Sequence, residues 1–167
     1  PVAKVCEFSN VMVVPNSSPV KSVREFIDYA NANRGKISYG SSGTGADPHM
    51  STELFRKLTG IEMTHVPYRG AGLAFTDVMS GQVQVMFATV SLALPHVKSG
   101  RVRALGVTTL KRVSVTPDIP TINEQGLKGF ETGSWFGIAV PTAKQWWAYA
   151  RAWLHAELAR RASDCRD

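Results

Sequence analysis

Cysteine is scarce in this 167-residue sequence: there are two, Cys6 and Cys165, near opposite ends. Neither lies in a metal-ligand spacing. The four histidines, His49, His65, His96 and His155, are far apart along the chain, so no metal site is expected. A disulfide would require the termini to meet, and the pattern favours a free, buried thiol at Cys6. No apolar run is long enough to span a bilayer. The opening residues, PVAKVCEFSN, lack the basic start, apolar centre and small-residue exit of a signal peptide. Acidic residues are outnumbered, 13 against 19 basic ones, but the basic residues are scattered and nowhere interleave with aromatic residues. Nucleic acid is therefore not an expected partner, and the excess suits a small anionic ligand or solubility.

What is present is a globular composition, 44% hydrophobic and 19% charged, suited to one domain or to one and part of another. Residues 4–8 and 11–14 are apolar, β-branched runs separated by Ser9 and Asn10. The second reads as a strand buried on both faces. Ser22 and Glu25 form a capping box that predicts a helix from Val23, with Val23, Phe26, Ile27 and Ala30 on its apolar stripe. Further strands are predicted at 36–39, 61–66, 83–87 and 102–108, with helices from Asp47–Pro48 and over 73–79 and 91–98. Met50, Leu54 and Leu58 share one face of the first of these helices. This alternation predicts an α/β domain with a largely parallel sheet. After it comes an irregular stretch, an aromatic strand over 135–140, and a tail of helical pattern over 143–162 bearing Trp146, Trp147 and Trp153.

The stretch KISYGSSGTGADPHMSTEL, residues 36–54, joins a strand to a helix through a glycine and hydroxyl loop. Gly40, Gly43 and Gly45 let the backbone turn and aim its N–H groups at one point, and Pro48 suits the first helical turn. A helix N-terminus behind such a loop is a seat for a carboxylate or phosphate. The candidate donors are the N–H groups of residues 42–46 and the hydroxyls of Ser41, Ser42 and Thr44. The loop has no third glycine for dinucleotide binding and no Gly-Lys-Ser/Thr for a P-loop. Threonine replaces the second glycine of a nucleophile elbow. No cofactor is expected. Two more loops follow strands, at 67–72 and 88–91, and in parallel sheets such loops gather beyond the carboxyl ends of the strands.

The blocks YGSSGTG (39–45), HVPYRGAG (65–72), DVMSGQVQVMFAT (77–89), LPHVKSGRVRALGVTT (94–109), PDIPTINEQGLKGFE (117–131) and WFGIAVP (135–141) resemble the tripartite tricarboxylate transporter solute receptors. These are the Bug-type extracytoplasmic binding proteins of proteobacteria. The resemblance covers residues 1–141 in order and without gaps. It implies a periplasmic-binding-protein-like α/β lobe, with a mostly parallel sheet flanked by helices, plus a remnant of the other lobe. Residues 15–108 would be the complete second lobe, and 1–14 and 109–167 the crossing strands and remnant of the first. The front of that lobe, signal peptide included, would lie outside this sequence, and residues 144–153 depart from the family pattern. The implied function is periplasmic capture of a small carboxylate for a membrane permease, without catalysis.

The resemblance puts Tyr68, Arg69 and Gly70 in a loop lining the cleft, Thr89 where many relatives carry aspartate, and Trp135 as a cleft wall. With Ser41, Ser42, Gly43, Thr44 and Gly45 they form the candidate ligand site. Alternatives are packing for Tyr68 and Trp135, solvation for Arg69 and a strand cap for Thr89. A second functional reading is a serine-dependent hydrolase using Ser42 and His49, with Glu53 one turn further to orient the imidazole. A third is a non-binding, interacting fragment. The missing lobe would leave apolar surface uncovered, so self-association is expected.

Overall fold

The computed structural model describes residues 2–139, and side chains from residue 5 to residue 137. The predicted tail helix, its three tryptophans, His155 and Cys165 lie outside the described residues. The contacts divide the chain into a compact unit, Phe8–Ser134, and a second unit made of Pro1–Glu7 with Trp135–Asp167.

The elements run in the order β1 (Val2–Pro15), α1 (Val23–Ala32), β2 (Ser38–Ser41), α2 (Asp47–Thr59), β3 (Thr64–Pro67), α3 (Ala71–Ser80), β4 (Val85–Thr89), α4 (Val90–Lys98), β5 (Val102–Val107) and β6 (Gly133–Ala139). The sheet order is β3-β2-β4-β1-β5, with β6 also paired to β1. Strand β2 is parallel to β3 and β4, whereas β1 runs antiparallel to both β4 and β5. The sheet is thus mostly parallel, with one reversed strand inserted near its middle. That position explains why 11–14 is so apolar: Val11, Met12, Val13 and Val14 are all buried.

β1 is one continuous strand where a break at Ser9-Asn10 was expected. Asn10 stays in the ladder because it pairs with Thr89 and its backbone is fully engaged. Its N–H donates to Thr108 Oγ1 at 3.3 Å, and its carbonyl accepts the Thr108 N–H at 2.9 Å. Cys6, expected to be buried, is exposed. It lies in the N-terminal end of β1, within the second unit.

Alternate side chains of the central strands feed two cores, one on each sheet face. Met12, Val14, Val85 and Phe87 join Phe26, Phe55 and Phe130 on one face. Val11, Val13, Met86 and Ala88 join Phe75, Val78 and Ala93 on the other. Phe55 is the hub of the first, with ring centroids 6.3 Å from Phe26, 5.8 Å from Phe87 and 6.0 Å from Phe130.

The capping box forms as expected, with Ser22 Oγ accepting the Glu25 N–H at 3.2 Å. The Glu25 carboxylate turns back to the N–H of Lys21 at 2.7 Å, one residue before the cap. On α2 the face shared by Met50, Leu54 and Leu58 is only partly turned inward, with Leu54 packed against the core. Met50 and Leu58 are 57% and 55% exposed, while Ser51, Thr52 and Phe55 are buried. The two hydroxyls can turn inward because the helix satisfies them: Thr52 donates to the Pro48 carbonyl at 2.7 Å, and Ser51 reaches Asp47 Oδ1 at 3.5 Å.

Candidate functional site

Strands β2, β3 and β4 are parallel neighbours, so Ser41, Pro67 and Thr89 end at one sheet edge. The reversed β1 brings Asn10 to the same edge, opposite Thr89. The three loops read from sequence therefore converge. The Tyr68 N–H donates to the Ser41 carbonyl at 3.0 Å and ties the second loop to the first.

Within the first loop much of the hydrogen-bonding capacity is spent internally. Ser41 is fully buried. Its Oγ accepts the Gly43 N–H at 3.2 Å and lies 2.7 Å from His65 Nε2. The Gly45 N–H donates to His49 Nδ1 at 3.0 Å, and the Ala46 N–H to the Gly43 carbonyl at 3.3 Å. Of the donors expected from sequence, the N–H groups of Ser42 and Thr44 and their two hydroxyls are left without a partner among the described residues. The sequence misses this spending because it depends on two histidines from other elements.

Tyr68 is half-buried, and its hydroxyl is committed to Asp77 Oδ2 at 2.6 Å. Burial and that carboxylate push the phenol up to about 12. Arg69 is exposed and has no ion pair among the described residues, so its charge is available at this edge. Gly70 is the N-cap of α3 with φ 126°, and Thr89 the N-cap of α4 with no side-chain cap bond. Trp135 is 56% exposed and belongs to the other compact unit.

Asp47, in the first turn of α2, brings a negative charge to the helix end, but it is engaged. Asn10 Nδ2 donates to Asp47 Oδ2, and Asn10 Oδ1 is buried without a partner among the described residues.

The hydrolase geometry is not assembled. Ser42 makes no bond to His49, whose Nδ1 is taken by the loop backbone and whose Nε2 stands 4.0 Å from Glu53 Oε1. The serine that meets an imidazole is Ser41, buried and facing His65. Beneath the loop, His49 and His65 stack with ring centroids 4.2 Å apart, and Tyr39 stacks on His65 at 4.8 Å. The Tyr39 hydroxyl donates to Glu53, which also accepts from Arg56 at 2.6 Å. Burial pushes the Glu53 carboxyl up. The hydrogen bonds from Tyr39 and Arg56 and the charges of Arg56 and His49 outweigh it and hold Glu53 below its ordinary range. Burial, then the charge of His49, hold His65 below the ordinary imidazole range.

An α/β lobe with glycine-bearing loops at the carboxyl edge of a mixed sheet is the architecture of one lobe of a periplasmic solute-binding protein. A family model for the tripartite tricarboxylate transporter family receptor (TctC) matches residues 1–145, and the chain belongs to that family. That family comprises solute-binding receptors, not enzymes. The chain is 37% identical over 142 residues to a Pseudomonas sp. UPF0065 protein in the tcbD-tcbE intergenic region, and 30% identical over 141 residues to BugT of Bordetella pertussis. Each match covers 84% of this chain, and 42% and 43% of the relative. An R. palustris protein solved with adipate superposes with TM-score 0.78 at 39% identity, and MatC from Rhodopseudomonas palustris with bound malate with 0.77 at 31%. Both matches cover 82% of this chain, and 46% and 47% of the solved chains. The chain thus spans slightly under half the length of these relatives.

Proposed function

We propose that this chain is the ligand-holding lobe of an extracytoplasmic receptor that captures a small carboxylate and presents it to a membrane permease. Residues 15–108 would form that lobe, and the flanking segments the crossings to the other. The observation that carries the reading is the convergence of the loops at 41–45, 67–72 and 88–91 at one sheet edge. There the free N–H groups of Ser42 and Thr44, their hydroxyls and the unpaired Arg69 supply anion donors. Ser41, Gly43 and Gly45 shape the loop. Tyr68, Gly70 and Thr89 line it. Each hydrogen bond to a bound carboxylate contributes roughly 1.5–3 kcal/mol. The capture is non-covalent. Relatives solved with adipate and malate make dicarboxylates the natural probes.

Titration of the isotopically labelled chain with malate and with adipate, followed by amide NMR, tests this. The expected result is saturable shifts at Ser42, Thr44 and Gly70, abolished in Gly43→Val, where φ is +139° and a side chain is strained. Shifts confined to the opposite edge would overturn it. A cavity of about 190 Å³ lies there, lined by Pro15, Ser17, Pro19, Phe26 and Tyr29 among others.

Exposed Val5, Trp135 and Phe136 in the second unit support self-association of the isolated chain. Sedimentation at several concentrations tests it, and a monomer throughout refutes it.

A further inference from the structure

We propose that His49 is a positioning residue that holds the 41–45 loop only while its imidazole is neutral, so that acidification releases it. His49 Nδ1 accepts the Gly45 N–H at 3.0 Å. An imidazolium has no lone pair to offer, so protonation turns that bond into two N–H groups facing each other. The His65 contact with Ser41 behaves differently. Ser41 Oγ also lies 3.1 Å from the Gly43 carbonyl, so its hydroxyl proton can turn there while a charged His65 donates to the oxygen. The weak point is therefore the bond from His49 to Gly45.

Charged and titratable groups face the two rings from three elements. From α2, Glu53 faces His49 at 4.0 Å, and Arg56 shares that carboxylate. Asp47, at the head of the same helix, is engaged by Asn10 and Ser51. From β2, the Tyr39 phenol rests on Glu53 and its ring on His65. From β3 comes His65 itself, 4.2 Å from His49 centre to centre. Two positive rings at that separation repel strongly. His49 is the ring whose Nε2 faces Glu53 and whose Nδ1 carries the bond to Gly45.

Release frees the Gly45 N–H, which His49 Nδ1 had accepted. The free donors on the loop then become those of Ser42, Thr44 and Gly45. The device concerns the empty loop and stands whether or not a carboxylate is its ligand.

The test is an NMR pH series on the full chain, from about pH 8 to about pH 5, with no ligand present. The Gly45 amide is expected to shift with the same midpoint as the His49 ring. In the acid form it should exchange with solvent about tenfold faster than intrinsic chemistry accounts for, the effect of one lost hydrogen bond. His49→Gln, whose amide oxygen accepts at every pH, should leave the Gly45 amide flat across the range. His49→Phe, which keeps the stack without an acceptor, should show Gly45 released already at neutral pH. A wild-type Gly45 amide that stays constant through the His49 titration overturns the proposal. So does a His49→Gln chain that keeps the wild-type midpoint.

Discussion

The Tyr68 hydroxyl donates to Asp77 Oδ2 at 2.6 Å and ties the loop after β3 to the second turn of α3. The phenol that sequence puts in a ligand cleft therefore braces its own loop, and only its ring and backbone face the neighbouring glycines. Gly40 lies beside this ring: a Cβ there would be in ordinary contact with Tyr68 Cε2 at 3.6 Å and tighter against Ala74 Cβ at 3.3 Å.

Tyr68→Phe should lower stability by about 1–3 kcal/mol, the range for losing a hydrogen bond to a charged acceptor, measured as a shift in the denaturant midpoint. The phenol titrates at about 12 in the folded chain. Its folded value is raised, so its contribution is whole below the ordinary value near 10 and is lost as pH climbs through about 12. Tyr68→Phe should remove that part of the alkaline loss. An unchanged alkaline limb would show that the bond contributes nothing.

Asn10→Asp should be among the more damaging isosteric changes available. It places a second carboxylate in a fully buried position against Asp47. Two adjacent buried carboxylates cannot both ionise cheaply, and the cost is several kcal/mol, on the order of 2–5. The defect should be largest at neutral pH and shrink on acidification, as one of the pair takes a proton. Thermal melts at neutral and mildly acidic pH decide it: a deficit that grows on acidification refutes the pairing.

Gly106 has no room for a side chain. A Cβ would sit 2.9 Å from Gln125 Nε2, 3.0 Å from Ile122 Cγ1 and 3.3 Å from Val23 Cγ2. Gln125 cannot easily yield, because Nε2 donates to the Leu105 carbonyl at 2.7 Å while Oε1 accepts the Val23 N–H at 2.9 Å. Gly106→Ala should cost about 1–3 kcal/mol, as overpacked cores do, and Gly106→Val more. A neutral Gly106→Ala in urea unfolding would show that the 121–126 turn gives way freely.

Acid sensitivity should come in two steps. His65 is held below its ordinary value, so the stability tied to its neutral form is present above about 6.5 and is lost as pH falls through its folded value. Glu53 is also depressed, so its contribution is present above the ordinary carboxylate range and fades at lower pH. Glu53→Gln should flatten the lower step and, by removing a charge that favours protonated His65, move the upper one to lower pH. An unaltered lower step would assign it to other carboxylates.

Local grammar was legible in the residues. The Ser22 cap, the glycine stops at Gly60 and Gly81, and the double burial of 11–14 follow from short-range sterics and periodicity. The inner face of α2 was not legible. Hydropathy ranks Met50 and Leu58 above Ser51 and Thr52, and nothing in the sequence says that the hydroxyls will be satisfied by Asp47 and Pro48. The site was legible in outline, since loops after parallel strands must gather at one edge. Its donor inventory was not, because partners 4 to 24 residues away had already taken the N–H of Gly45 and the hydroxyl of Ser41.

By itself the sequence determined an α/β lobe, its strand and helix alternation and a glycine loop at a helix N-terminus, because these rest on backbone conformation and on patterns a few residues long. Only the tertiary structure decided that β1 runs against its neighbours, that Asn10 reaches Asp47, and that two histidines sixteen positions apart stack beneath the loop. The stack needs the parallel register that pairs Tyr39 with His65 and the docking of α2 over it. Both are set by burial of Phe55 and its aromatic neighbours in one core, a contact that no local pattern encodes.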